Sequence, residues 1–221
     1  MIRHHLSDAL LMAYSAGQLP EAFSLAVATH VSLCDDCRAR LESFDAVGGV
    51  MLESCAADAL AGDSFAATMA RIKAGAPQAR AASNATDHQA GLVTDSIFPA
   101  PLRDYVGGDV DAVRWRSVGG GVRQAILPTD RAASARLLYI PAGMAVPDHG
   151  HRGTELTLVL QGAFRDEVDR FARGDIEIAT EELEHTPIAE AGEACICLAA
   201  TDAPLRFNSF VPRMLQPLLR I

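Results

Sequence analysis

His30-Val31-Ser32-Leu33-Cys34-Asp35-Asp36-Cys37 is the stretch that decides how the first part of this chain folds. Its three good metal-binding side chains are spaced four and three residues apart. On a helix, positions i, i+4 and i+7 share one face, so His30, Cys34 and Cys37 can point at one centre. Thiolate and imidazole donors in tetrahedral number are the usual make-up of structural zinc. A fourth donor is available at the amino terminus, in His4 or His5. A C-x2-C pair alone would equally fit two small apolar core residues beside a core histidine. His30 one turn upstream and a spare histidine pair tip the balance towards metal.

Working outward, residues 7 to 74 read as four helices. Ser7 is placed as an N-cap, with Leu6 and Leu11 as a hydrophobic staple, and Gly17 ends the first helix. His5 then lies just outside that helix, free to swing onto a metal, which favours it over His4. A second helix opens at Pro20-Glu21, with proline tolerated in the first turn. Its stripe runs Phe23, Val27, His30 and Cys34. Asp35 or Asp36 can cap a third helix, which weakens at Gly48-Gly49, and Cys55 reads as a structural residue within it. A fourth segment carries Phe65, Met69 and Ile72, either as a core stripe or as a surface left for a partner. Four short helices make a thin core, and zinc binding is one way for such a unit to gain folding free energy.

The chain has 221 residues, enough for two domains with a core each. Hydrophobic residues make up 49%, yet no apolar run approaches the ~20 residues that span a bilayer. The amino terminus lacks the h-region of a signal peptide. A formal charge of −9 argues against a DNA-binding surface, which needs clustered Lys and Arg. Five cysteines, two of them in metal-ligand spacing, fit a reducing compartment better than a disulfide framework. The expected location is cytoplasmic.

Residues 76–96 have linker composition, small and polar, with His88 solvent-exposed among them. Beyond them the period switches to two. Val122, Gln124 and Ile126 alternate, followed by Leu137 to Ile140 and Glu155 to Leu160, which suggests an antiparallel sandwich or barrel. A second constellation lies inside it: His149, His151 and Glu155 face one interior, with His185 about thirty residues on. Three imidazoles and a carboxylate suit zinc, iron or manganese, and the donors alone do not choose. Cys195 and Cys197 share a strand face, as two buried small residues or as a thiol pair with a redox or metal-proximal role.

The fold class expected is therefore α+β and multi-domain. A small four-helix zinc-binding domain occupies 1–75, a linker 76–96, an antiparallel β-barrel 97–205, and a tail packing on the barrel 206–221.

The second half resembles the cupin superfamily. Gly143, His149-x-His151, Glu155 and Gly162 match its first motif at every fixed position. Of the second motif, Gly174-Asp175 and His185 fit, while Thr180-Glu181-Glu182 replaces the usual Pro-x-Gly and no asparagine follows. The first half resembles the zinc-binding anti-sigma domain, whose mark falls on His5, His30, Cys34 and Cys37. Together the two halves resemble the ChrR type of anti-sigma factor. That resemblance implies a protein that clamps an extracytoplasmic-function-type sigma factor and releases it on an oxidative, singlet-oxygen-type signal sensed by the cupin. It implies one zinc ion in the helical domain and a second in the cupin, held by His149, His151, Glu155 and His185. No direct contact with nucleic acid or membrane is expected. The alternative is a metal-dependent cupin enzyme, a dioxygenase or isomerase, with an accessory zinc domain.

Overall fold

The computed structural model describes residues 1–75 and 96–204, together with the strand backbone at 206–207. The linker expected over 76–96, apart from Ser96, and His88 within it fall outside the described residues. So does the tail over 206–221, apart from that short strand.

The helical part comprises α1 (Asp8–Ser15), α2 (Glu21–Val31), α3 (Asp35–Glu53) and α4 (Ser64–Lys73). Ser7 caps α1, its hydroxyl accepting from the Leu10 amide at 3.3 Å. Cys34 stands at the break between α2 and α3, as its position suggests. The α3 N-terminus is not capped by an aspartate. Instead the Cys34 sulfur lies 3.5 Å from the Cys37 amide, where an N-cap oxygen would sit. Gly48 and Gly49 do not weaken α3, which continues to Glu53. Cys55 lies beyond the end of that helix and is exposed, so its side chain supports no core.

The second part begins with a helix and a turn that carry no strong periodic signal, α5 (Ala100–Val106) and a 3-10 turn at Val110–Ala112. Asp109 ties that corner, accepting from the amides of Ile97, Phe98 and Val110 at 2.9, 3.0 and 2.8 Å. The strands are β1 (Arg116–Gly119), β2 (Val122–Leu127), β3 (Ser134–Ile140), β4 (His149–Gly150), β5 (Glu155–Gln161), β6 (Ala163–Arg165) and β7 (Arg170–Ala172). They continue as β8 (Ile176–Ala179), β9 (Glu184–His185), β10 (Ile188–Ala189), β11 (Cys195–Thr201) and β12 (Arg206–Phe207). Three antiparallel sheets result, ordered β1-β2-β3-β11-β5-β8, β10-β6-β7 and β12-β4-β9.

The six-stranded sheet is buried on both faces at its centre, while its β1 edge is exposed, and the central strand β11 shows why. All seven residues of β11, Cys-Ile-Cys-Leu-Ala-Ala-Thr, are buried. Cys195 and Cys197 point into a core shared with Val159 of β5, Phe164 of β6 and Phe171 of β7. Ile196, Leu198 and Ala200 point the other way, into a core with Phe23, Leu25 and Val27 of α2 and Phe98 and Leu102 around α5. A strand covered on both sides reads as a continuous apolar run rather than an alternation.

This arrangement bears on the domain boundary. Met1–Gly48 packs together with the chain from Ser96 onward as one compact unit, and Gly49–Asp95 forms a second. The break in packing thus falls inside α3, not at residue 75. The reason is that α2 spends its apolar face on the sheet, with α1 packed against α2, whereas the rest of α3 and α4 have nothing of theirs buried.

Candidate metal centres

At the amino-terminal centre, His5, His30, Cys34 and Cys37 offer donor atoms that all lie within 4.8 Å of one another. His5 Nδ1 is 3.2 Å from Cys34 Sγ and 3.7 Å from Cys37 Sγ, and His30 Nε2 is 3.3 Å from Cys37 Sγ. With Zn–N near ~2.0 Å and Zn–S near ~2.3 Å, adjacent nitrogen and sulfur corners of a tetrahedron stand about 3.6 Å apart. The donor set and its spacing fit a tetrahedral ion. Burial lowers His30 to about 4, opposed by the nearby backbone of Gly174, so the ring is neutral and able to ligate. Burial pushes the Cys37 thiol up to about 11, and only a cation in the centre would make the thiolate stable there. Outside the donors, Arg40 Nη1 is 3.9 Å from Cys37 Sγ, and Arg40 Nε donates to Asp8 at 3.0 Å.

His4 is not in this cluster. Its ring stacks obliquely on Phe171 at 4.3 Å and its Nε2 is 3.1 Å from Asp169. The backbone beside it is tied to the β7–β8 turn. Arg3 and His4 amides donate to Asp175 Oδ1 at 2.6 and 3.0 Å. Burial would raise the Asp175 carboxyl, but donors from Ala172, Arg3 and His4 hold it below the usual carboxylate range.

At the cupin centre, His149, His151 and His185 are buried and their ring nitrogens converge. His185 Nε2 is 3.2 Å from His151 Nε2 and 3.3 Å from His149 Nε2. Nitrogens about 2.05 Å from an ion would stand about 3.3 Å apart in a tetrahedron and about 2.9 Å apart in an octahedron. The tetrahedral value is the match. Main-chain pairing brings these rings together, because His149 on β4 is registered directly with His185 on β9. His149 Nδ1 lies 2.9 Å from the Pro147 carbonyl, and His185 Nδ1 2.8 Å from Asp166 Oδ2. Each contact turns Nε2 inward, as outer partners of metal-bound histidines do.

Glu155, the other expected donor, stands apart from the three rings. Its Oε2 is 4.0 Å from His151 Nδ1, and its Oε1 accepts from the Thr157 hydroxyl at 3.0 Å. Sequence reasoning missed Asp166 and Glu177, which with His185 form another close group. Glu177 lies on β8 with its Oε1 3.2 Å from His185 Nδ1. Burial pushes Glu177 up to about 7. Burial alone would lower His185, but the hydrogen bonds and charges of Glu177 and Asp166 raise it to about 9. Neither acid is at a motif position, and no local spacing marks them.

The thiols of Cys195 and Cys197 are 3.5 Å apart and buried. Hydrogen bonding to Cys195, then burial, raises Cys197 well above its ordinary value, so Cys197 is held as a thiol. Among the described residues no helix is long and apolar enough to cross a membrane.

Residues 104–203 match the ChrR cupin-like domain family. The whole chain is 63% identical over 224 residues to the anti-sigma-E factor ChrR of Cereibacter sphaeroides, covering 100% of this chain and 99% of that protein. It also superposes with a TM-score of 0.78 on ChrR in the crystal structure of Rhodobacter sphaeroides SigE in complex with the anti-sigma ChrR. That match has 62% identity over 91% of this chain and 100% of the other. A two-centre chain that is like ChrR from end to end belongs to the ChrR family of anti-sigma factors.

Proposed function

We propose that this protein sequesters an extracytoplasmic-function-type sigma factor and releases it when the cupin centre is perturbed by an oxidative signal. The observation that carries the reading is the full-length relationship to a regulator whose solved complex is with SigE. The protein acts as a binding regulator in the cytoplasm, not as an enzyme.

The helices supply a surface of the right character. Val50, Met51 and Leu52 at the end of α3 and Phe65 and Ile72 of α4 are exposed, Leu52 at 75% and Phe65 at 80%. Phe65 and Ile72 are seven residues apart and share one face of α4, and apolar side chains with this much exposure suit a partner's hydrophobic groove. Zinc held by His5, His30, Cys34 and Cys37 would supply folding free energy to the layer from which this surface extends. His149, His151 and His185, with Glu155 closing on the same ion after a small movement, would hold the second zinc. A stimulus acting there releases the partner only by changing the relative free energy of bound and released states, and ~1–3 kcal/mol of coupling shifts affinity roughly 5–150-fold.

A sigma-dependent reporter, with and without singlet oxygen, tests both halves of the reading. Phe65→Asp should leave the reporter on in all conditions. His149→Ala should keep it off and abolish induction. Full inhibition by Phe65→Asp would remove the helical surface from the account. Normal induction in His149→Ala would remove the cupin centre.

A further inference from the structure

We infer that Asp175 is a positioning residue for the amino-terminal metal centre, holding the segment that presents His5 and so fastening that centre to the cupin. The inference rests on the metal assignment above and goes beyond it.

His5 is the fourth donor, yet it sits outside regular structure, on the segment that precedes the first helix. A ligand on such a segment must be ordered each time it binds, and that lost conformational freedom opposes metal binding. Here residues 2–4 are ordered beforehand by the β7–β8 turn. The Arg3 and His4 amides both donate to Asp175 Oδ1, at 2.6 and 3.0 Å. The return contact runs from the Ile176 amide to the His4 carbonyl at 3.4 Å. The other carboxylate oxygen, Oδ2, accepts from Ala172 at 2.9 Å and closes the turn itself. One buried side chain thus serves the cupin with one oxygen and the amino terminus with the other.

The neighbouring glycine is shaped for the same purpose. Gly174 has φ +89°, and a Cβ there would stand 2.6 Å from Ile2 Cδ1. Only glycine lets the turn keep this conformation and lets Ile2 lie on it. The Gly174 backbone also lies beside the His30 ring. Two of the four donors, His5 through the strap and His30 through direct proximity, therefore depend on one cupin turn. Glu177, two residues beyond Asp175 and on β8, touches His185. The two centres are joined by a single short piece of chain.

The test uses the full-length protein loaded with Co2+ in place of zinc. Thiolate-to-cobalt charge transfer reports the amino-terminal centre, since the cupin donors contain no sulfur. Asp175→Ala should lose this band to a chelator about tenfold faster than the unmodified chain, the scale at which outer partners of ligands act. Asp175→Asn keeps an acceptor oxygen for Arg3 and His4 and should recover most of the retention. Asp109→Ala removes a carboxylate that is equally rich in amide donors but takes them from Ile97, Phe98 and Val110 instead of Arg3 and His4, and should leave the band's lifetime unchanged. Equal lifetimes for Asp175→Ala and the unmodified chain would overturn the inference. So would loss in Asp109→Ala as fast as in Asp175→Ala, which would mark general destabilisation. Absence of the band from the unmodified chain would instead defeat the metal assignment itself.

Discussion

At the scale of single residues, the donors of the two centres are readied for a metal to different degrees. Burial keeps His30, His149 and His151 neutral, lowering each below its ordinary value. His185 is pulled the other way, to about 9, because Asp166 and Glu177 favour its imidazolium. A metal at the cupin must therefore displace a proton from His185 at neutral pH. In the metal-free protein the raised value stabilises the fold fully below 6.5, and that contribution is lost as pH rises towards about 9. Metal binding runs in the opposite sense. We predict that affinity at the cupin centre climbs about tenfold per pH unit between pH 6.5 and 9 and then levels off. Titration calorimetry across this range decides it, and an affinity indifferent to pH would show that His185 carries no such proton.

At the scale of elements, α2 is the part on which most depends. One end of its buried stripe supplies His30, and the rest lies on β11, β5 and β3. Phe23 is buried in that layer, and its truncation to alanine should cost about 3–5 kcal/mol, by lost transfer free energy and by the cavity left behind. Because the helix and the sheet share one core, the loss should appear as a single shifted transition in urea. Far-UV circular dichroism follows the helices, and the fluorescence of Trp115, the one tryptophan and packed on the same core, follows the sheet. Two separated transitions would show that the helices and the sheet unfold independently.

At the scale of the whole molecule, the helical half and the cupin divide binding from sensing, as proposed above, while sharing one folding unit up to Gly48. A fragment covering 1–75 keeps all four amino-terminal donors and α4, so it should still bind zinc and the sigma factor, but without Asp175 it should lose the metal to a chelator faster than the intact protein. It would also expose Phe23, Leu25, Ala26 and Val27, which the sheet covers in the full chain. We predict a lower melting temperature for that fragment than for the same helices in the intact protein, and aggregation at concentrations the intact protein tolerates. Equal melting temperatures would mean that the shared core contributes no stability.

The division between what could be read in advance and what could not follows the range of the interactions. His30, Cys34 and Cys37 lie within eight residues, and helical geometry alone aims them at one point. His149-x-His151 is local in the same sense, and the Ser7 cap and the switch to period two at Val122 rest on chain stereochemistry. The choice of His5 over His4 was only favoured by position outside the cap. It is the fold that sends His4 to Phe171 and Asp169. Asp166 reaches His185 from the β6–β7 turn 19 residues before it and Glu177 from β8 8 residues before it, and Asp175 reaches Arg3 across 172 residues. No period or motif encodes such pairings. They exist because the central strands of the six-stranded sheet are buried on both faces, one against the cupin interior and one against α2, and so bring the amino terminus to the β7–β8 turn.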